Sequence, residues 1–194
     1  MAEQPLNFWF HFGCPYCYLS WESLRRAIAG SSFVVEAIPL EYENIDHHLV
    51  RECDKFSTSR WERLTQKAKL MRLTIQPPPR TFSHSTPLSR TAIILEGEKR
   101  SQFIDLAFQA IFAKGISPTD VAGLVEFFQE SGFDVELFRD AQENPAAFAQ
   151  IKNQAERWKA TPLLLLPHLE FSGENLSGSM DQKGIERFFS ALPI

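Results

Sequence analysis

The sequence is poor in cysteine, with three among 194 residues, too few to staple a small secreted scaffold. It also lacks a long apolar run. The greasiest stretch, Leu163 to Leu166, is closed by Pro162 and Pro167 and falls far short of the roughly 20 residues that span a bilayer as a helix. Neither sign of charge dominates: 20 basic residues stand against 24 acidic ones, a formal net charge of -4. With no basic stripe and no array of basic and aromatic residues, a nucleic-acid partner is not expected. The chain opens Met1-Ala2-Glu3-Gln4-Pro5, without the basic start or apolar segment of a secretory signal. These absences predict a cytoplasmic protein with no membrane partner, and no internal repeat or low-complexity linker divides it. What is plentiful is apolar and aromatic: 44% of residues are hydrophobic and 17 are phenylalanine, enough to bury a sizeable core.

Two of the three cysteines stand two residues apart, in Cys14-Pro15-Tyr16-Cys17. Upstream, Leu6, Phe8, Phe10 and Phe12 recur at every second position, the period of a strand, while the apolar Trp9 between them predicts that both faces are covered. Downstream the period changes. Tyr18, Leu19, Trp21, Leu24 and Ile28 fall on helical spacing, and Gly30 is placed to end the helix. Gly13 and Pro15 mark the turn, so Cys14 is expected at the helix start and Cys17 about one turn inside. Unpaired backbone N–H groups and the positive helix end favour a thiolate at Cys14, the form that attacks a disulfide. Two intervening residues let Cys17 reach back and resolve the mixed disulfide. Pro15 limits the freedom of the loop, and Tyr16 can shape contacts to a substrate. The other readings of a Cys-x2-Cys pair are half a zinc site or a structural disulfide. A closed zinc site usually needs four ligands; the third cysteine, Cys53, and the histidines His11, His47 and His48 have no ribbon or finger spacing.

The rest of the chain reads as α/β at both ends with a helical middle. Ser32 to Leu40 is expected to be a second strand. From about Asp46 to Lys159 the signals are helical: Ser117-Pro118-Thr119-Asp120, Asp134 and Asn144-Pro145 each start a helix, and Gln76-Pro77-Pro78-Pro79-Arg80 forms a stiff connection. Strand signals return at Leu163 to Leu166 and Leu169 to Phe171, with Ser172-Gly173-Glu174-Asn175 as a hairpin turn. A last helix is expected from about Asp181 to Leu192.

This order resembles the DsbA-like branch of the thioredoxin fold, an α/β fold with a large all-helical insertion. The resemblance rests on Phe10-His11-Phe12-Gly13-Cys14-Pro15-Tyr16-Cys17, the stretch Thr81 to Ala92, Thr161-Pro162 before a strand, and Leu176-Ser177-Gly178 before the final helix. Within it the chain is most similar to the FrnE-like group, in one superfamily with 2-hydroxychromene-2-carboxylate isomerases and kappa-class glutathione transferases. Those relatives share Pro15-Tyr16-x-Tyr18-Leu19 but typically carry serine where Cys14 stands. The resemblance implies one domain over 1–194, with thioredoxin-like parts 1–45 and 160–194 and a helical insertion 46–159. It implies a protein disulfide oxidoreductase with Cys14 and Cys17 catalytic, and Pro15, Tyr16, Thr161 and Pro162 against substrate. The Thr161-Pro162 bond would be cis. Protein or small-molecule disulfides and thiols would be the partners, glutathione a co-substrate, and no metal or prosthetic group would be needed.

The alternative within the same superfamily is a glutathione-dependent isomerase or transferase, in which Cys14 activates a small thiol and the insertion forms an apolar pocket. A third class is a binding protein switched by the cysteine pair. The chain departs from the family pattern where thioredoxin and DsbA carry a buried acid in the first strand: here that residue is Phe8. Trp158-Lys159-Ala160 replaces the usual Gly-Val type sequence before the proline. His11 could handle the proton on Cys17 if its ring faces the sulfurs; otherwise it is a hydrogen-bonded structural residue. Cys53 reads as a bystander thiol or a third redox site, and His47 and His48 as a solvated helix start or metal ligands.

Overall fold

The structure is a computed structural model that describes residues 5–41, 58–77, 84–160 and 165–192. A four-stranded sheet of order β2-β1-β3-β4 carries β1 (Leu6–Phe10) and β3 (His168–Phe171) inside, with β2 (Val35–Pro39) and β4 (Glu174–Ser177) at its edges. β1 runs parallel to β2, with Phe8 opposite Ala37. The two are joined through helix α1 (Pro15–Ala27), the long crossover that a parallel pair requires. β3 pairs antiparallel with β1, Phe8 opposite Leu169, and β4 antiparallel with β3.

The strand period of β1 sorts its aromatic rings onto two faces. Phe8 meets Trp21 of α1 at 5.5 Å between centroids, and Phe10 meets Phe108 at 5.6 Å. Trp9 points the other way and meets Trp158 at 5.6 Å. Both faces are therefore covered, as the apolar Trp9 predicts. Phe108 belongs to the central helical layer, which holds α2 (Thr58–Leu70), α3 (Thr86–Ile94), α4 (Gly97–Phe112), α5 (Val121–Glu130), α6 (Val135–Glu143) and α7 (Pro145–Ala160); α8 (Gln182–Ser190) closes the chain. Asp120, Asp134 and Asp181 cap α5, α6 and α8 through their carboxylates, each satisfying an amide left unpaired at a helix start. A run of rings carries the core from the cysteine turn into the helical layer: Phe12 to Phe103 at 6.4 Å, Phe103 to Phe128 at 5.3 Å and Phe128 to Phe138 at 5.3 Å.

Helix α1 is held by polar contacts at both flanks. Trp21 Nε1 donates to Asp105 Oδ1 of α4 at 2.7 Å, and Arg25 pairs with the same carboxylate. On the other flank the buried Ser20 hydroxyl accepts from Met180 N and donates to Met180 O, at 3.1 and 3.2 Å. This ties α1 to the segment that enters α8.

The expected elements are met with three adjustments. The second strand, expected over Ser32 to Leu40, spans only Val35–Pro39. Leu165 and Leu166 lie outside any strand, and β3 begins only at His168. A continuous apolar run gives no period from which to tell strand from connection, and Pro167 supplies no amide for a ladder. The hairpin turn is also shorter than expected: Ser172 and Gly173, both at positive φ, make it alone, and Glu174 and Asn175 already belong to β4. The expected strand residues Leu163 and Leu164 and most of the triple-proline connection lie outside the described residues. Replacing Phe10 with alanine is expected to cost about 3–5 kcal/mol, read in urea titration as a lower midpoint with an unchanged slope.

Candidate active site

Pro15 is the first residue of α1, a position where a missing N–H costs nothing and a fixed φ helps. That places Cys14 at the N-cap, with extended φ and ψ of -95° and 112°. Its backbone is held on both sides: Cys14 N donates to His11 O at 3.1 Å, and Cys14 O accepts from Tyr18 N at 3.2 Å. Cys17, third in the helix, lies behind it. The two are not joined in a disulfide, and the residues are 1% and 0% exposed.

Two opposing effects act on the Cys14 sulfur. Burial pushes the thiol up, the largest single effect. Hydrogen bonds from the Cys17 side chain and from the backbone N–H groups of Cys17 and Tyr16 pull it down, and together they prevail, holding Cys14 below the usual cysteine value. The proline explains which amides serve: with no N–H at Pro15, those of Tyr16 and Cys17 are the first that the helix can turn towards Cys14.

His11 does not have the environment of a base. Its ring is fully buried, and burial, followed by the field of His84, pushes its pKa down to about 3. Nδ1 accepts the Gly13 N–H at 3.0 Å and Nε2 lies 3.4 Å from Ser85 Oγ. A ring that stays neutral to such acidity is a poor proton acceptor near pH 7, so its contribution here is geometric. Phe8 is fully buried among rings, and Tyr18 of the Pro-Tyr-x-Tyr-Leu stretch stacks on Phe112 at 5.5 Å. Burial, then the charge of Glu22, raises the Tyr18 phenol to about 12, which makes it no acid for exchange.

Tyr16 lines a hollow of about 370 Å³ with Arg60, Arg63, Leu64 and Lys67. A neighbouring hollow of about 600 Å³ runs past Lys67 to Arg26, Asp181 and Glu186. Lys67 Nζ donates to Ser179 Oγ at 2.9 Å and to Met180 O at 3.4 Å, and burial lowers its pKa. Sequence reasoning missed this basic face, although Arg60, Arg63 and Lys67 recur at i, i+3 and i+7 and so share one side of α2.

The structure thus brings Cys14, Pro15, Tyr16 and Cys17 together. Thr161 and Pro162 lie outside the described residues, as do Cys53, His47 and His48; the cis bond recorded among the described residues is Leu166-Pro167. Among those residues no group of three or more His, Cys, Asp or Glu side chains could hold a metal ion, and no helix is long and apolar enough to cross a membrane.

Among solved structures, the chain is similar to a 2-hydroxychromene-2-carboxylate isomerase, with a TM-score of 0.74 and 16% identity over 97% of this chain and 94% of that one. It is also similar to the cytosolic disulfide reductase DsbM from Pseudomonas aeruginosa solved with GSH, at 0.68 and 13% over 96% and 98%. Reduced DsbA1 from Neisseria meningitidis follows at 0.61 and 12% over 98% and 84%. At these identities the likeness is one of fold. A search of the curated proteins finds no match. The profile of the DSBA-like thioredoxin domain matches residues 5–187, nearly the full length, and with the sheet order and the cysteine turn at the head of α1 it settles the family: the chain belongs to the DSBA-like thioredoxin domains.

Proposed function

We propose that the protein is a thiol-disulfide oxidoreductase working through Cys14 and Cys17. The observation that carries this reading is a free Cys14 thiol at a helix N-cap, held below its usual pKa by the neighbouring Cys17 and two backbone amides. The Cys14 thiolate attacks one sulfur of a substrate disulfide, forming a mixed disulfide and expelling the other sulfur as a thiolate. Cys17 then passes its proton to the thiolate first expelled and attacks Cys14 Sγ, closing the Cys14–Cys17 disulfide and releasing the second substrate thiolate. The substrate gains two electrons and the pair loses two. The reverse sequence oxidises a dithiol. Two sulfurs carry both electrons, so no prosthetic group is needed.

In this reading Pro15 and Tyr16 contact the substrate, and Thr161 and Pro162 complete those contacts. Glutathione is the small thiol partner we favour. Its carboxylates suit the basic face of Arg60, Arg63 and Lys67 beside Tyr16, and the fold is shared with the DsbM structure solved with GSH. The name of that protein, a cytosolic reductase, agrees with the cytoplasmic location expected from composition. The competing reading, a glutathione-dependent isomerase or transferase, draws on the similarity to 2-hydroxychromene-2-carboxylate isomerase. The second sulfur favours exchange, because a chemistry that only holds a small thiol has no use for Cys17.

In glutathione redox buffers, with free thiols trapped, the peptide holding Cys14 and Cys17 is expected to lose two hydrogens reversibly, and Cys14→Ser to abolish the change. A pair that never closes, or that stops at a glutathione adduct on Cys14, would instead favour the isomerase or transferase. Alkylation of Cys14 is expected to slow as pH falls through a midpoint below the ordinary cysteine value, since the thiolate is the reactive form. Cys17→Ala removes one of the hydrogen bonds that lower this midpoint, so it is expected to rise.

A further inference from the structure

Ser85 is the N-cap residue of α3, yet its hydroxyl makes no bond to the amides of that helix. A serine in this place usually satisfies one of them, worth about 1 kcal/mol. Here the fully buried hydroxyl is spent elsewhere: it lies 3.4 Å from His11 Nε2 and 3.4 Å from Glu41 Oε1. Glu41 is 6% exposed, and its second oxygen accepts from Thr86 Oγ1 at 2.8 Å. On the far side of the ring, His11 Nδ1 accepts the Gly13 N–H at 3.0 Å. A buried polar chain thus runs from a carboxylate at the end of β2, through the start of α3, to the amide immediately before Cys14.

The proton positions along this chain follow from donor and acceptor capacity. An amide N–H can only donate, so Nδ1 must carry a lone pair. In a neutral ring the proton is then on Nε2, and burial keeps the ring neutral, with a pKa of about 3. Nε2–H needs an acceptor, which Ser85 Oγ provides only if its own proton points away. The Glu41 carboxylate, which can only accept, draws that proton towards itself. The two 3.4 Å contacts are at the long end of hydrogen bonding and orient protons without binding tightly; the 2.8 and 3.0 Å contacts at the ends are the firm ones.

We propose that Glu41 and Ser85 are positioning residues for the cysteine turn: they hold His11 in its Nε2–H form, which leaves Nδ1 to pin the Gly13 amide and so fixes the turn that presents Cys14. Their effect on exchange rests on Cys14 being the attacking sulfur, as proposed above, but their effect on the His11 ring does not. The usual tautomer test of a histidine applies, because the protonated and bare ring nitrogens have well-separated nitrogen-15 shifts.

The experiment combines that spectrum, with the His11 signals assigned by their loss in His11→Asn, and titration of the Cys14 thiolate by ultraviolet absorbance. The wild type is expected to show a single Nε2–H tautomer. In Ser85→Ala the Nε2–H loses the Ser85 hydroxyl as acceptor, the ring leaves that single form, and the Cys14 titration moves up. The Cys14–Cys17 disulfide then becomes about tenfold harder to reduce in glutathione buffer, equivalent to about 30 mV. Glu41→Leu shifts the tautomer in the same direction, and Ser85→Thr, which keeps the hydroxyl, restores the wild-type ring and titration. A wild-type tautomer and Cys14 titration in both Ser85→Ala and Glu41→Leu would overturn the proposal. Failure of the wild-type pair to close in glutathione would instead refute the exchange reading, with the ring spectra and thiolate titration still deciding the role of Glu41 and Ser85.

Discussion

The double burial of β1 is the constraint from which the placement of the cysteine turn follows. Its rings interlock with Trp21 and Phe108 on one face and Trp158 on the other, so the strand has little freedom to slide or tilt. A shift of register by one residue would turn every side chain to the opposite face, taking Phe8 away from Trp21 of α1 and Phe10 away from Phe108 of α4. The chain leaves such a strand at a fixed point, passes Phe12 and Gly13, and meets the head of α1. The position of Cys14 is thus inherited from packing several residues away.

The same burial that fixes Cys14 also opposes its ionisation. A sulfur with 1% exposure forgoes water, and the charge must be balanced by donors the fold supplies. Cys17 and the amides of Tyr16 and Cys17 are those donors, gathered without extra conformational cost because the helix already aims them there. The lowered pKa of Cys14 therefore rests on preorganised hydrogen bonds in a dry setting, where each is stronger than in water. It does not rest on exposure of the thiol. The absence of an acid at Phe8 fits the same pattern: a carboxylate under the helix would face an aromatic layer with nothing to pair with it, and the polar groups of this region are collected instead at His11, Ser85, Glu41 and Thr86.

The basic face of α2 is the second feature gathered at the cysteine turn. Arg60, Arg63 and Lys67 border the hollow at Tyr16, and Lys67 is itself anchored on Ser179 and Met180, in the segment that Ser20 ties to α1. The helical insertion and the thioredoxin-like frame thus meet beside Tyr16, next to the cysteine pair.

The sequence by itself determined the features written in short-range periodicity and in turn chemistry. The alternation of β1, the change to helical spacing after Cys14, Pro15 at the helix start and the capping aspartates at 120, 134 and 181 are all local, since strand and helix periods and cap bonds act within four residues. The order of these elements around Cys-x2-Cys was enough to indicate the family. It was not enough at Leu165 and Leu166, where an unbroken apolar run carries no period. Only the tertiary structure decided the surroundings of the sulfurs: that His11 gives Nδ1 to Gly13, that Ser85 forgoes its own helix to meet a ring 74 positions away and Glu41 at a separation of 44, and that a basic stripe on α2 faces Tyr16. Such contacts depend on how layers stack, and on which buried polar group must find a partner once water is excluded. Neighbouring residues along the chain carry no record of that requirement.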